Sequence, residues 1–129
     1  MKVNTIYRDA SVRDMLGVLK RNEILAFVAD QDVSSVDGVC VDFFGSPANT
    51  PVAPARFSMS TGAVILPAFV IRDGLKHHVI VEAPVEIANT GNKEEDVKVN
   101  TQRWAAVQEK YIRRYPHLWV WNHKRWRLI

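Results

Sequence analysis

The sequence predicts an α/β domain with a mixed, mostly parallel sheet flanked by helices. Three observations predict it. A helix-period segment near the N-terminus is followed by a short, continuous apolar run at residues 24–29. Such a run reads as a strand covered on both faces, as strands of parallel sheets are. Helical and strand-like segments then alternate down the chain, which is α/β organisation. The 129 residues are 47% hydrophobic and 24% charged, an ordinary globular composition with length for one domain, residues 1–129.

Each element has a local reason. Ser11 followed by Asp14 makes a capping box, in which hydroxyl and carboxylate satisfy free backbone N–H groups. Val12, Met15, Leu16 and Leu19 recur at helical spacing, so a helix is expected over 12–21. The apolar run 24–29 ends at Asp30. Val39, Val41 and Phe43 alternate, predicting a half-buried strand over 38–44, with Cys40 read as a small core residue. Residues 45–49 read as a loop. Thr50 then Pro51 suit an N-cap and first helical position, giving a helix to about Ser60 with Gly62 as a left-handed cap. Residues 63–71 read as a strand in which Pro67 implies an edge or bulge. Asp73-Gly74 signals a turn, with a returning strand over 75–83. After a polar loop at 89–95, a long helix is expected over 96–114, carrying Val97, Trp104, Val107, Tyr111 and Ile112 on one face and ended by Pro116.

Composition excludes several classes. The longest apolar run, 63–71, is far short of the roughly twenty residues of a membrane span. No stretch reads as a signal peptide. The single cysteine rules out an internal disulfide framework and a thiolate zinc cluster. His77 and His78 are neighbours on a strand and point to opposite faces, so no metal site is expected. His117 and His123 lie among tryptophans and are expected to pack rather than catalyse. There is no glycine-rich phosphate loop, no GxSxG elbow and no HExxH.

The net charge of +3 is unevenly placed. From Gln102 onward there are seven Lys/Arg against one acid, Glu109, and all four tryptophans lie there. A basic, aromatic tail over 102–129 suits a phosphate-bearing or membrane-surface partner. Asp30-Gln31-Asp32 stands at the carboxyl end of the run 24–29, the edge where open α/β sheets bind ligands. The triplet is either a hydrogen-bonding site for hydroxyls or a solvated turn. Phe43, Phe44 and Gly45 followed by Thr50 and Arg56 form a second cluster, with Arg56 either reaching an anionic group or simply exposed.

Four segments carry a resemblance: ADQDV (29–33), GVCVDFFGSPANTPVAPARFSMSTGA (38–63), TGNKEEDV (90–97) and YPHLWVWNHKRW (115–126). In order, and over nearly the whole chain, they resemble the bacterial lipid A biosynthesis (lauroyl/myristoyl) acyltransferases. The resemblance implies the C-terminal portion of a glycerolipid-acyltransferase-like fold. It implies transfer of a fatty acyl chain from acyl carrier protein or acyl-CoA, with no resident cofactor, to a hydroxyl of a lipid A precursor or other glycolipid. It places the chain peripherally on the cytoplasmic face of the bacterial inner membrane. Asp30, Gln31, Asp32, Phe44, Thr50 and Arg56 then belong to substrate binding, and Arg125 and Trp126 to phosphate or membrane contact.

The family's catalytic HxxxxD or HxxxxE motif, in its N-terminal half, has no counterpart here. His77 with Glu82 fits the bare pattern, but on a strand and in the wrong order. The expectation is therefore the C-terminal half of such an enzyme, without a catalytic residue and inactive without its other half. A non-catalytic glycolipid- or membrane-binding remnant is the alternative. A nucleic-acid-binding module is weaker, because the basic tail fits the family block in order.

Overall fold

The computed structural model describes residues 3–7, 11–31 and 37–126. Helix α1 (Val12–Lys20) starts as expected. The Ser11 hydroxyl accepts from the Asp14 N–H and the Asp14 carboxylate accepts from the Ser11 N–H. Its apolar face is only half-buried and touches α2.

Residues 24–29 form no strand, and Ile24 and Val28 are 93% and 95% exposed. An extended apolar run needs a ladder partner for its backbone, and no described segment supplies one. The mostly parallel sheet is overturned with it: the described residues hold two separate two-stranded antiparallel sheets. The described residues are mixed α/β, built from two hairpins and three α-helices.

The first hairpin pairs β1 (Gly38–Phe43) with β2 (Ser46–Pro51), from Gly38 opposite Pro51 to Phe43 opposite Ser46. The expected loop at 45–49 is thus largely strand. The turn is Phe44-Gly45, both at positive φ (58° and 77°), the conformation of a tight two-residue hairpin loop. Alternation sends Val41 and Phe43 inward to meet Ala48 and Thr50 of β2, all buried. The same alternation puts Cys40 outside, exposed, and corrects its assignment to the core.

Thr50 and Pro51 end β2 rather than begin a helix. Helix α2 (Ala53–Thr61) starts after Val52, and Pro54 takes the donor-free position in its first turn. Gly62 caps it at φ 75°, in the left-handed region as expected. The strand predicted at 63–71 splits. Ile65 bridges Val85, Pro67 interrupts, and β3 (Ala68–Asp73) pairs with β4 (Lys76–Val81) around Gly74-Leu75.

Helix α3 (Lys93–Arg114) begins earlier than expected, where Asn92 accepts from the Glu95 N–H. Its first turn holds Glu94, Glu95 and Asp96 and its last Arg113 and Arg114, both favourable to the helix dipole. Trp104, Tyr111 and Ile112 are buried, but so are Asp96, Asn100, Thr101 and Gln108. The polar ones are partly held by the strap before the helix. Asn100 bonds both the N–H and the carbonyl of Ala88, at 2.7 and 3.0 Å. Asp96 accepts from the Thr90 N–H and hydroxyl. The core lies where α3 crosses the first hairpin: Val41, Trp104 and Ala105 in one cluster, Phe43, Ala48 and Ile112 in the other.

Candidate functional site

The described residues enclose an apolar groove of about 1050 Å³. One wall is residues 24–30 and the other 63–70 with Val81. Phe57 of α2 and Trp104, Gln108, Tyr111 and Ile112 of α3 form its floor. Phe27 stacks on Phe57 at 5.7 Å, and Phe69 lies flat on Tyr111 at 3.8 Å. The aromatic stacks fix the walls to the floor.

Asp30 sits at the end of the first wall, half-buried, with Oδ1 covered and lacking a hydrogen-bond partner. Two α3 atoms in the lining share that state: Trp104 Nε1, a donor, and Gln108 Oε1, an acceptor. A buried polar atom without a partner is costly, so such atoms mark where polar groups are wanted. Sequence reasoning missed both. The available signal was their four-residue spacing, which puts them on one helix face. Gln31 is exposed, and Asp32 lies outside the described residues.

The other named residues form a different assembly. Thr50 is fully buried, its hydroxyl donating to the Ala48 carbonyl and accepting from Arg125 at 2.6 Å. Arg125 is 1% exposed; it also bonds the Asn49 carbonyl, and its guanidinium lies 4.9 Å from the Phe43 ring centre. Trp126 donates to the Phe43 carbonyl at 3.1 Å. Phe44 donates its N–H to Glu109 at 2.8 Å, and Arg113 covers its ring. The FFG segment, Thr50 and the terminal Arg125-Trp126 pair therefore meet as one knot, which ties the end of the chain to the first hairpin. Arg125 is placed inside the fold. Arg56 is exposed and pairs with Asp37.

Asp96, Glu109 and Tyr111 are electrostatically tuned. Hydrogen bonds from Thr90 and Gly91 hold the Asp96 carboxyl below the ordinary range, against burial. Burial works to raise Glu109, but the Phe44 N–H and Arg113 outweigh it and its pKa is lowered. The Tyr111 phenol is pushed up by its hydrogen bond to Glu82 and by burial. That bond occupies Glu82. His77 lies on extended β4, where five residues span about 16 Å, so no His77–Glu82 pair can form. His77, His78 and His117 are exposed, which corrects the expected packing of His117; His123 is half-buried. Among the described residues no three His, Cys, Asp or Glu side chains gather as metal ligands. No described helix is long and apolar enough to cross a membrane.

The fold thus presents an apolar groove with a half-buried carboxylate at one end and, apart from it, a basic-aromatic knot on the first hairpin. Residues 1–128 match the family model of the bacterial lipid A biosynthesis acyltransferases, and the chain belongs to that family. Phosphatidylinositol mannoside acyltransferases of two Mycobacterium tuberculosis strains, CDC 1551 and H37Rv, are 43% identical over 49 residues. That match takes in 38% of this chain and 15% of each relative. The chain thus spans well under half the length of these curated relatives.

Proposed function

We propose that this chain is the acceptor-side half of an acyltransferase. It moves a fatty acyl chain from the thioester of acyl carrier protein or acyl-CoA to a hydroxyl of a glycolipid. A lipid A precursor or a phosphatidylinositol mannoside supplies that hydroxyl, on the cytoplasmic face of the inner membrane. In the reaction the hydroxyl oxygen attacks the thioester carbonyl, its proton passes to a base, and the thiolate leaves and is protonated. The groove that ends at Asp30 carries the proposal. Asp30 is a hydrogen-bond acceptor that orients the hydroxyl; it is not the base. The base is the histidine of an HxxxxD segment outside these 129 residues. The exposed side chains of the run 24–29, Ile24 and Val28, are the surface that the segment packs against.

A positioned base contributes about 10²–10⁴-fold, so the chain alone is expected to show no turnover. The test supplies an acyl-thioester donor and glycolipid acceptor to the chain alone and to the chain co-expressed with an HxxxxD-containing segment, with products read by mass spectrometry. Turnover is expected only in the second case, falling with Asp30→Asn while the fold is unchanged. Turnover by the chain alone that disappears with His77→Ala refutes the proposal.

A further inference from the structure

Trp104 and Gln108 sit on one face of α3, about 6 Å apart along its axis. Both line the groove, and they are 7% and 8% exposed. Asp96 and Asn100 precede them on the same face at the same four-residue spacing, and these are satisfied: Asn100 holds Ala88, and Asp96 holds Thr90. The strap before the helix thus completes the first half of this polar stripe and stops short of the second. Trp104 Nε1 and Gln108 Oε1 meet no partner. Ala29 packs on the cluster that holds Trp104, which brings the next residue, Asp30, with its own unpartnered Oδ1, to the same end of the groove.

These atoms are two acceptors and one donor, and that set discriminates between ligand heads. A phosphate accepts from the indole N–H, but it meets the Asp30 carboxylate with like charge and offers Gln108 Oε1 nothing. An ammonium serves both acceptors and leaves the indole N–H unpaired. A secondary amide has one N–H for the two acceptors. Two neighbouring hydroxyls satisfy the whole set: one donates to Asp30 and accepts from Trp104, and the other donates to Gln108. The head that fits is an uncharged ring bearing hydroxyls. Beyond Gln108 the lining continues along Tyr111, Ile112, Leu118 and Trp119, and the Tyr111 phenol is already taken by Glu82. That stretch offers an apolar path for a tail.

We infer that Trp104 and Gln108, together with Asp30, bind the sugar ring of the acceptor glycolipid, with its alkyl chain running along α3 toward Leu118. Trp104 and Gln108 select a polyhydroxylated head over one that ends in a phosphate or an amine. Trp104 also gives the hydroxyl on Asp30 a second fixed contact, and a group held from two sides is presented in fewer orientations. This deepens the proposed function by naming residues that choose its acceptor, and it rests on that function in taking a glycolipid as the acceptor. Binding of the head is measured without a thioester and without the HxxxxD segment, so the two fail separately.

The test titrates the full chain in a calorimeter with octyl β-glucoside below its micelle concentration. Octyl tetrahydropyranyl ether, which keeps the ring and tail and lacks the hydroxyls, and octyl phosphate are the comparison ligands. Trp104→Phe and Gln108→Met are each expected to weaken glucoside binding about fivefold, the loss of one hydrogen bond, and to leave ether binding within about twofold of wild type. Gln108→Met removes an atom that makes no bond in the fold, so its melting temperature is expected to equal or exceed that of wild type, whereas a structural role requires a fall. The Trp104 indole N–H proton resonance, identified by its loss in Trp104→Phe, is expected to shift with the glucoside and not with the ether. No binding of the glucoside, tighter binding of octyl phosphate, wild-type glucoside affinity in both variants, equal losses for glucoside and ether, or an unmoved indole resonance with glucoside bound would overturn the inference.

Discussion

Arg125→Ala separates a buried role from a surface one. The guanidinium donates to the Thr50 hydroxyl at 2.6 Å and to the Asn49 carbonyl, over the Phe43 ring. Hydrogen bonds from a charged donor contribute about 1.5–3 kcal/mol each. A desolvated cation–π contact adds about 1–2 kcal/mol. Burying the charge costs part of this back. The net loss is about 3–4 kcal/mol. For 129 residues the unfolding entropy is about 0.27 kcal/mol/K, so Tm should fall by roughly 11–15 °C. Thr50→Val removes one acceptor and should cost about 2 kcal/mol. The double variant should cost less than the sum, because both changes break the same bond. Calorimetry of the four proteins measures this cycle, and vesicle partition of Arg125→Ala at a temperature where it is folded completes it. A Tm within about 3 °C of wild type, together with lost vesicle binding, would show that Arg125 meets phosphate and that the buried assignment is wrong.

Val28 is almost fully exposed, so Val28→Asp should leave Tm of the chain within about 2 °C and raise its solubility. The same change should block assembly with the HxxxxD segment; normal assembly on gel filtration would free the run 24–29 of that role. Asp96 has its pKa lowered by Thr90, so its contribution is present above the ordinary carboxyl value and lost as pH falls through the folded one. The Tm gap between wild type and Asp96→Asn should therefore close below about pH 4, and a constant gap contradicts the Thr90 contact. Tyr111 is raised by Glu82, so its contribution is present below about pH 10 and lost as pH climbs through the higher folded value. The gap to Tyr111→Phe should close at that alkaline end in the same scan.

Features whose physics is local were legible in the sequence. The Ser11 and Asp14 cap, the left-handed Gly62, the turn at Gly74 and the long α3 each follow from a few adjacent residues. Strand β2 was not, because two prolines in SPANTP read as loop and its turn puts a phenylalanine at positive φ. That conformation is strained by roughly 1–2 kcal/mol. Phe44 adopts it because Glu109 takes its N–H and Arg113 covers its ring, contacts 65 and more residues away that no local pattern reveals. The polar residues of α3 failed for a related reason. Hydropathy sees Asp96 and Asn100 as surface, whereas the strap around Ala88 and Thr90 supplies the partners that let them be buried.

The candidate site divides the same way. Its residues could be named from motifs, but the division of labour between Asp30 in the groove and Arg125 in the knot is set by tertiary contacts. The run 24–29 is the instructive case. Its composition demands cover on both faces, and the structure covers it only in part: Phe27 stacks on Phe57 and Leu25 and Ala29 are half-buried, while Ile24 and Val28 are exposed. Apolar surface this continuous is unfavourable in water at about 25 cal/mol per Å². A sequence that keeps Ile24, Val28, Val64 and Leu66 together on one groove is adapted to something that covers them.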